Sequence, residues 1–483
     1  MKFIKDDFLW GGATSAGQIE GAWNKNMKSP TLLDVSPFNS EIDRKEMQIS
    51  SKTKNEYLKN LEVIEDYKFP KRLGINFYDK YKEDIALFKE AGMNIYRMSI
   101  AWSRIFPNGN EQQPNVEGLQ FYKNVFEECK KNGLKIMVTM QHFDVPIPIM
   151  TKYGGWVNKK VIDLYLKYAE VLFKEFYEDV DFWLPFNEID IAIWAPELGI
   201  GIFKSDYSED QKSLVSASYQ GLHNQFVAQA KTIELAKKIS DKIKIGCMLA
   251  NSTTYAIDCK PENVMENLKM QQFSRWFYYD VMARGEYPKY IKRHFSENNI
   301  LLDITSEELE IIKNNTIEYI TFSYYMTGTV SKDKIKKANA NLHDIGENPF
   351  LESTEWGWQI DPIGLRITLN EIWDRYQLPI FISENGIGVV ETLNSSQTVE
   401  DDYRIKYLKE HIIQINEALK DGVDVFGYTM WTPIDVVSAS TCEMSKRYGL
   451  IFVDYDDYHN GTGKRFKKKS YHWFQNFMKT KEL

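Results

Sequence analysis

Eight short apolar runs, each bounded by turn residues, recur along the chain: Phe8–Ser15, Asn94–Trp102, Lys135–Phe143, Asp181–Glu188, Lys244–Asn251, Glu318–Tyr325, Pro379–Gly386 and Val425–Trp431. Runs of this length with little polar alternation read as strands buried on both faces, the pattern of a parallel sheet covered by helices. Segments with helical spacing lie between them. In the clearest, Tyr403–Lys420, the residues Ile405, Leu408, Ile412, Ile415 and Leu419 recur at alternating three- and four-residue intervals and make one apolar face. Glu400, Asp401 and Asp402 stand just ahead of it, where negative charge favours a helix N-terminus. Gly92, Gly133 and Gly422 each follow a helical segment and precede an apolar run, as a left-handed helix C-cap requires. This alternation favours a single α/β domain, a (β/α)8 TIM barrel with extended loops, over a doubly wound sheet. No glycine-rich phosphate loop or dinucleotide fingerprint follows the first run. No linker rich in Pro, Gly or Ser divides residues 1–483, so one domain is expected.

Composition narrows the partners. Lys and Arg number 60 against 68 Asp and Glu, a net charge of −8, which argues against a general nucleic-acid binder. Cys129, Cys247, Cys259 and Cys442 are scattered without a CxxC pair, so neither a zinc site nor a disulfide framework is expected. The start, Met1 to Asp7, is followed by only a brief apolar stretch broken by glycines, and no run reaches the roughly 18 apolar residues of a membrane helix. A reduced cytoplasmic protein with no membrane partner fits best. The basic cluster from Lys464 to Lys469 reads as a solvated surface rather than a phosphate or nucleic-acid patch. Aromatic residues make up 14% of the chain, which suits a heavy core or flat platforms for a sugar ring.

Catalytic groups of such a barrel sit at the C-terminal ends of its strands. Two runs end in carboxylates there: Phe186-Asn187-Glu188 closes the fourth, and Ser383-Glu384-Asn385-Gly386 closes the seventh. Paired carboxylates suit acetal cleavage, in which one protonates the leaving oxygen while the other attacks or stabilises an oxocarbenium-like carbon. The alternative is that each glutamate merely caps a loop. From the residues alone the two readings stay open.

Longer segments resemble a known family. They are Phe8-Leu9-Trp10-Gly11, Ala13-Thr14-Ser15-Ala16, Gln18-Ile19-Glu20-Gly21-Ala22, and Arg97 through Pro107. They continue with His142-Phe143-Asp144-Val145-Pro146, Tyr153-Gly154-Gly155-Trp156, the two glutamate-bearing ends, and Asp401-Asp402-Tyr403-Arg404. In this order and over nearly the whole length they resemble family 1 glycoside hydrolases, whose fold is a (β/α)8 barrel. The resemblance implies that Glu384 is the nucleophile and Glu188 the acid/base of a retaining mechanism, with carboxyl groups roughly 5–5.5 Å apart. The charge of Glu384 would raise the pKa of Glu188 until esterification removes it. By the same resemblance Arg97 and Tyr325 flank the nucleophile and keep it ionised and aimed. Gln18, His142 and Asn187 would bind sugar hydroxyls, Trp431 would stack under the ring, and Trp358 would face the leaving group. No metal and no cofactor are implied.

The stretch from Val437 to Gly449 separates subtypes. Family members acting on free glucosides carry Glu at the position of Ser438. Its absence, with Lys446 as a cation and Ser438 and Tyr448 as hydroxyl donors, resembles the phosphate-binding pattern of the phospho-glycosidases. Ala439 stands where the phospho-galactosidase type carries Trp, so a 6-phospho-β-glucosidase is expected, acting on phosphorylated β-glucosides delivered by a sugar phosphotransferase system. The alternatives are an unphosphorylated β-glucosidase, a 6-phospho-β-galactosidase, or a catalytically silent sugar-phosphate-binding barrel. Four departures stand out: Pro185 for the usual Thr, Asp190 for Asn, Asp79 for His, and a loop at residues 23–30 without the customary Asp-Gly-Lys-Gly. None is expected to touch the two glutamates. Self-association into a homo-oligomer stays open.

Overall fold

In a computed structural model, residues 4–46, 49, 52–207, 212–333 and 345–483 are described. Each of the eight apolar runs contains a strand: β1 Leu9–Ala13, β2 Ile95–Ser99, β3 Lys135–Gln141, β4 Phe182–Phe186, β5 Gly246–Ala250, β6 Tyr319–Ser323, β7 Ile380–Glu384 and β8 Val425–Met430. They lie in the order β4-β3-β2-β1-β8-β7-β6-β5, and every pairing is parallel. The Trp183 N–H donates to the Lys244 carbonyl at 2.9 Å, and a Trp183–Ile245 bridge joins β4 to β5, which closes the barrel.

The main outer helices are α1 Phe77–Glu90, α2 Val116–Lys131, α3 Lys160–Phe176, α4 Lys212–Ile239, α5 Phe277–Arg284, α6 Pro362–Tyr376, α7 Asp402–Lys420 and α8 Lys469–Thr480. Gly92, Gly133 and Gly422 follow α1, α2 and α7 at φ of +89°, +66° and +95°, so the expected left-handed turns into β2, β3 and β8 are present.

Two apolar layers result. Leu9, Ile95, Met137, Leu184, Met248, Tyr319 and Phe381 form a plug inside the barrel, and a larger cluster fills the space between strands and helices. The plug makes the barrel interior a packed core rather than a pore. Gly427 on β8 is required there, because a Cβ would sit 2.2 Å from the Phe381 ring. Most of the aromatic content is packing: Trp10, Trp102, Trp156, Trp183 and Trp356 are fully buried.

The basic cluster near the C-terminus is a solvated surface only in part, with Lys464 and Lys469 exposed. Lys468 is wholly buried and pairs with Glu391 at 2.5 Å and Asp435 at 2.8 Å. Arg465 makes a two-pronged bond to Asp84 at 2.7 and 2.8 Å, and Lys467 and Lys469 pair with Glu90 and Asp402. Each carboxylate lies far away in sequence, which is why the cluster reads as free charge in isolation. Asp401, at the start of α7, likewise makes no side-chain cap to its own helix. It accepts instead from the backbone N–H and hydroxyl of Ser470, tying α7 to α8.

Candidate active site

The strand ends of β1, β3, β4, β6, β7 and β8 and the loops beyond them surround a cleft enclosing about 640 Å³, open solvent included. Gln18, His142, Asn187, Glu188, Tyr325, Trp358, Glu384, Trp431, Ser438 and Tyr448 all line it. The structure thus brings ten of the sequence-expected site residues to one place. Arg97 lies beneath this surface, wholly buried.

Glu384 ends β7, and both its oxygens accept hydrogen bonds. Arg97 Nη1 donates to Oε1 at 2.5 Å and the Tyr325 hydroxyl donates to Oε2 at 2.6 Å, so the carboxylate has one orientation. Arg97 is itself fixed: its Nη2 donates to Asn187 Oδ1 at 2.6 Å and to Thr139 Oγ1 at 2.9 Å. One guanidinium on β2 therefore spans from β7 to the residue preceding Glu188.

Glu188 follows β4 at φ +39°, a left-handed conformation rare for a residue with a side chain. Phe143, also against the cleft, sits at φ +62°. Such conformations persist where surrounding contacts over-determine them, and they concentrate at functional sites. The Ser323 hydroxyl donates to Glu188 Oε1, and the Glu188 backbone N–H is directed at Met248 Sδ, 3.3 Å away. Burial pushes the Glu188 carboxyl well above its ordinary range. The charges of Glu384 and then Asp190 add to the rise, against the Ser323 hydrogen bond and Arg97. Burial, then Arg97, holds His142 well below the usual histidine range, which makes it a neutral donor and acceptor.

Gln18 is oriented by the Val437 carbonyl, to which its Nε2 donates at 2.7 Å, and by the Ser15 hydroxyl. Gly386 leaves room for the Trp431 carbonyl, since a Cβ there would come within 1.9 Å of that oxygen. Beyond β8, Thr441 Oγ1 donates to Ser438 Oγ at 2.8 Å, and the short pair Lys446–Arg447 and Val389–Val390 brings the lysine behind the cleft wall. Lys446 does not line the cleft. Its Nζ is 4.1 Å from the centroid of Trp358, 4.8 Å from that of Trp356 and 5.5 Å from that of Tyr448, and it has no hydrogen-bond partner. Burial, opposed by Glu443, lowers its pKa to about 7.

The model of the family described as glycosyl hydrolase family 1 matches residues 1–483. The chain belongs to this family. It is 45% identical to an aryl-phospho-β-D-glucosidase of Bacillus subtilis, covering 99% of this chain and 98% of that one. It is 44% identical to a phospho-cellobiase of Klebsiella oxytoca over the same shares. A β-glucosidase from Thermotoga maritima solved with glucoimidazole superposes with a TM-score of 0.83 at 27% identity, covering all of both chains.

For this family 1 hydrolase, sequence reasoning overlooked several supporting groups. Ser323 is the last residue of strand β6, two residues inside the end of the sixth apolar run, and the strand-end rule applied to the strand itself would have found it. Thr139 and Met248 sit inside apolar runs with no such signal. None of the departures makes a hydrogen bond or ion pair to either glutamate among the described residues, but the charge of one bears on Glu188. Asp190 is fully buried, accepts from the Ala250 N–H at 2.9 Å, is pushed up to about 8 by burial, and in its ionised form raises Glu188. Pro185 leaves the β3–β4 register intact on both sides, with Leu184 opposite Thr139 and Phe186 opposite Gln141. Asp79 is half-exposed, 3.5 Å from Lys25.

Proposed function

We propose that this family 1 hydrolase is a retaining 6-phospho-β-glucosidase, a single catalytic domain working in the cytoplasm, with Glu384 as nucleophile and Glu188 as acid/base. The observation that carries the reading is the contrast between two glutamates sharing one cleft. Glu384 is aimed by Arg97 and Tyr325, whereas burial and the charge of Glu384 favour the protonated form of Glu188. In the first step Glu384 attacks the anomeric carbon as Glu188 gives its proton to the glycosidic oxygen, leaving a covalent glycosyl-enzyme. Ester formation removes the Glu384 charge, the Glu188 pKa falls, and Glu188 takes a proton from the water that releases the sugar with net retention.

Asn187 Nδ2 and His142 Nδ1, both buried without a protein partner, are available to sugar hydroxyls. Trp431, with the His142 ring 5.8 Å away, offers the ring a flat face. The 6-phosphate falls to Ser438, Tyr448 and the cation of Lys446 behind them. Support comes from the names of relatives at 42–45% identity, among them phospho-cellobiase and 6-phospho-β-glucosidase. Phe143, Ile191, Ala195 and Leu198 make an apolar wall in the same cleft that suits an aromatic aglycone. The four free cysteines agree with a reducing compartment.

The test compares aryl β-glucosides with and without a 6-phosphate, and the 6-phospho-galacto isomer. The phosphorylated glucoside should be turned over best, with the first-formed sugar a β-anomer by NMR. Preference for the unphosphorylated compound would overturn the phosphate reading, and an α-anomer would overturn the assignment of a nucleophile.

A further inference from the structure

The turn from Ser438 to Cys442 is built against a lysine outside the cleft. Lys71, on the short helix Pro70–Leu73, is 1% exposed. Its Nζ donates to the Ala439 carbonyl at 2.7 Å and to Cys442 Sγ at 3.1 Å. The Cys442 N–H donates to the Ser438 carbonyl at 3.2 Å, and Cys442 is held at φ +58°. Lys71 thus grips both limbs of a tight turn whose cleft-lining residues are Ser438, Ala439 and Ser440.

Charge makes this placement unusual. A buried ammonium normally has a carboxylate beside it, as Lys468 and Lys28 do in this protein. Among the described residues no acidic side chain forms an ion pair with Lys71, and its hydrogen bonds go to a neutral carbonyl and a thiol. Lys446, further along the same segment, is also buried and has no hydrogen-bond partner. Lys71, with no carboxylate ion pair, and Lys446, with no hydrogen-bond partner and Glu443 as its neighbouring anion, are thus two buried lysines next to a segment that faces the cleft. A carbonyl facing the cleft would repel an anion, whereas the Ala439 carbonyl is engaged by an ammonium that does not line it.

We infer that Lys71 is a positioning residue for the substrate phosphate: it fixes the Ser438–Cys442 turn, draws the Ala439 carbonyl away from the anion, and adds positive potential from behind the loop. This rests on the phospho-glucoside reading above. Lys71 touches neither the sugar nor the reacting atoms. Its effect therefore falls on discrimination between phosphorylated and plain glucosides and leaves the chemical step alone.

The experiment measures kcat and KM of wild type, Lys71→Met and Lys71→Arg on an aryl β-glucoside 6-phosphate and its unphosphorylated counterpart, with inhibition by glucose 6-phosphate and by glucose. For Lys71→Met, KM for the phosphorylated substrate should rise roughly tenfold and inhibition by glucose 6-phosphate weaken by the same factor, the weight of one charge-assisted contact. The unphosphorylated substrate and glucose should be unaffected, and Lys71→Arg should recover most of the loss. Lys71→Gln keeps a neutral donor for Ala439 and guards against a Met variant that does not fold; it should show a smaller loss, still confined to the phosphorylated substrate and glucose 6-phosphate. Equal losses on both substrates, or no loss in a folded variant, would overturn the inference. A wild type that fails to prefer the phosphorylated substrate would instead bring down the reading on which it rests.

Discussion

The two ends of the cleft are built on opposite plans. At the β4 and β7 end, every oxygen of Glu384 has a donor, Arg97 is fixed by Thr139 and Asn187, and the charges are paired inside the protein. At the end formed by the loop after β8, a lysine without a hydrogen-bond partner stands behind Trp358 and Tyr448, and a second lysine grips the loop through a carbonyl and a thiol. Preorganised charge at a reacting centre lowers the barrier because nothing must reorganise during reaction. Uncompensated charge at a recognition site favours the ligand that brings the missing anion and disfavours one that does not. The first plan fits any β-glycoside, and the second selects among them.

Breaking the first end should have the largest effect. Glu384→Gln is expected to lower kcat at least about 10³-fold on phosphorylated and plain substrates alike, with folding intact by circular dichroism. Unchanged turnover would place the chemistry elsewhere. Breaking the second end should divide the substrates. In Ser438→Glu the new carboxylate would face a phosphate with about 4 kcal/mol of repulsion per charge pair at 4 Å and an effective dielectric near 20. KM for the phosphorylated substrate should therefore rise by roughly 10²- to 10³-fold, while the plain glucoside is spared. Equal losses would show that Ser438 does not meet the phosphate.

The pH dependence sharpens the contrast with a smaller effect. Lys446, lowered to about 7 by burial, is charged below that pH and neutral above it. KM for the phosphorylated substrate should rise above about pH 7, by at most tenfold per pH unit, and KM for the plain glucoside should not follow. Parallel curves would mean that Lys446 is not the titrating group. The smallest effect on selectivity is expected far from both ends. Lys468→Met takes one cation from Glu391 and Asp435, which keep Arg404 and Arg447, and should cost about 1.5–3 kcal/mol of stability in a denaturant titration. The ratio of activities on the two substrates should stay constant in the protein that remains folded.

The sequence made the barrel legible because a strand buried on both faces leaves a local mark, an apolar run between turn residues. The glutamates were legible because the ends of those runs are where such a barrel exposes polar groups. The supporting charges were not, since burial of a lysine is a non-local property. Lys468 looks like its neighbours Lys467 and Lys469 until Glu391 and Asp435 arrive from the loops after β7 and β8. Lys71 sits in an unremarkable Pro-Lys-Arg-Leu stretch, and its partners follow more than 360 residues later. The position of Lys446 behind the aromatic wall likewise depends on the two-strand ladder with Val389–Val390, which no local pattern announces.

Lys468 also joins two loops of the barrel mouth. Glu391, which burial alone would push up, is held at about 2 mainly by Lys468 and Arg404, and Asp435 opens the segment leading to Ser438. Without residue 468, Glu391 and Asp435 keep Arg404 and Arg447 as partners but lose the one cation that joins them. Lys468, at the start of α8, thus works as a clasp between the loops that follow β7 and β8.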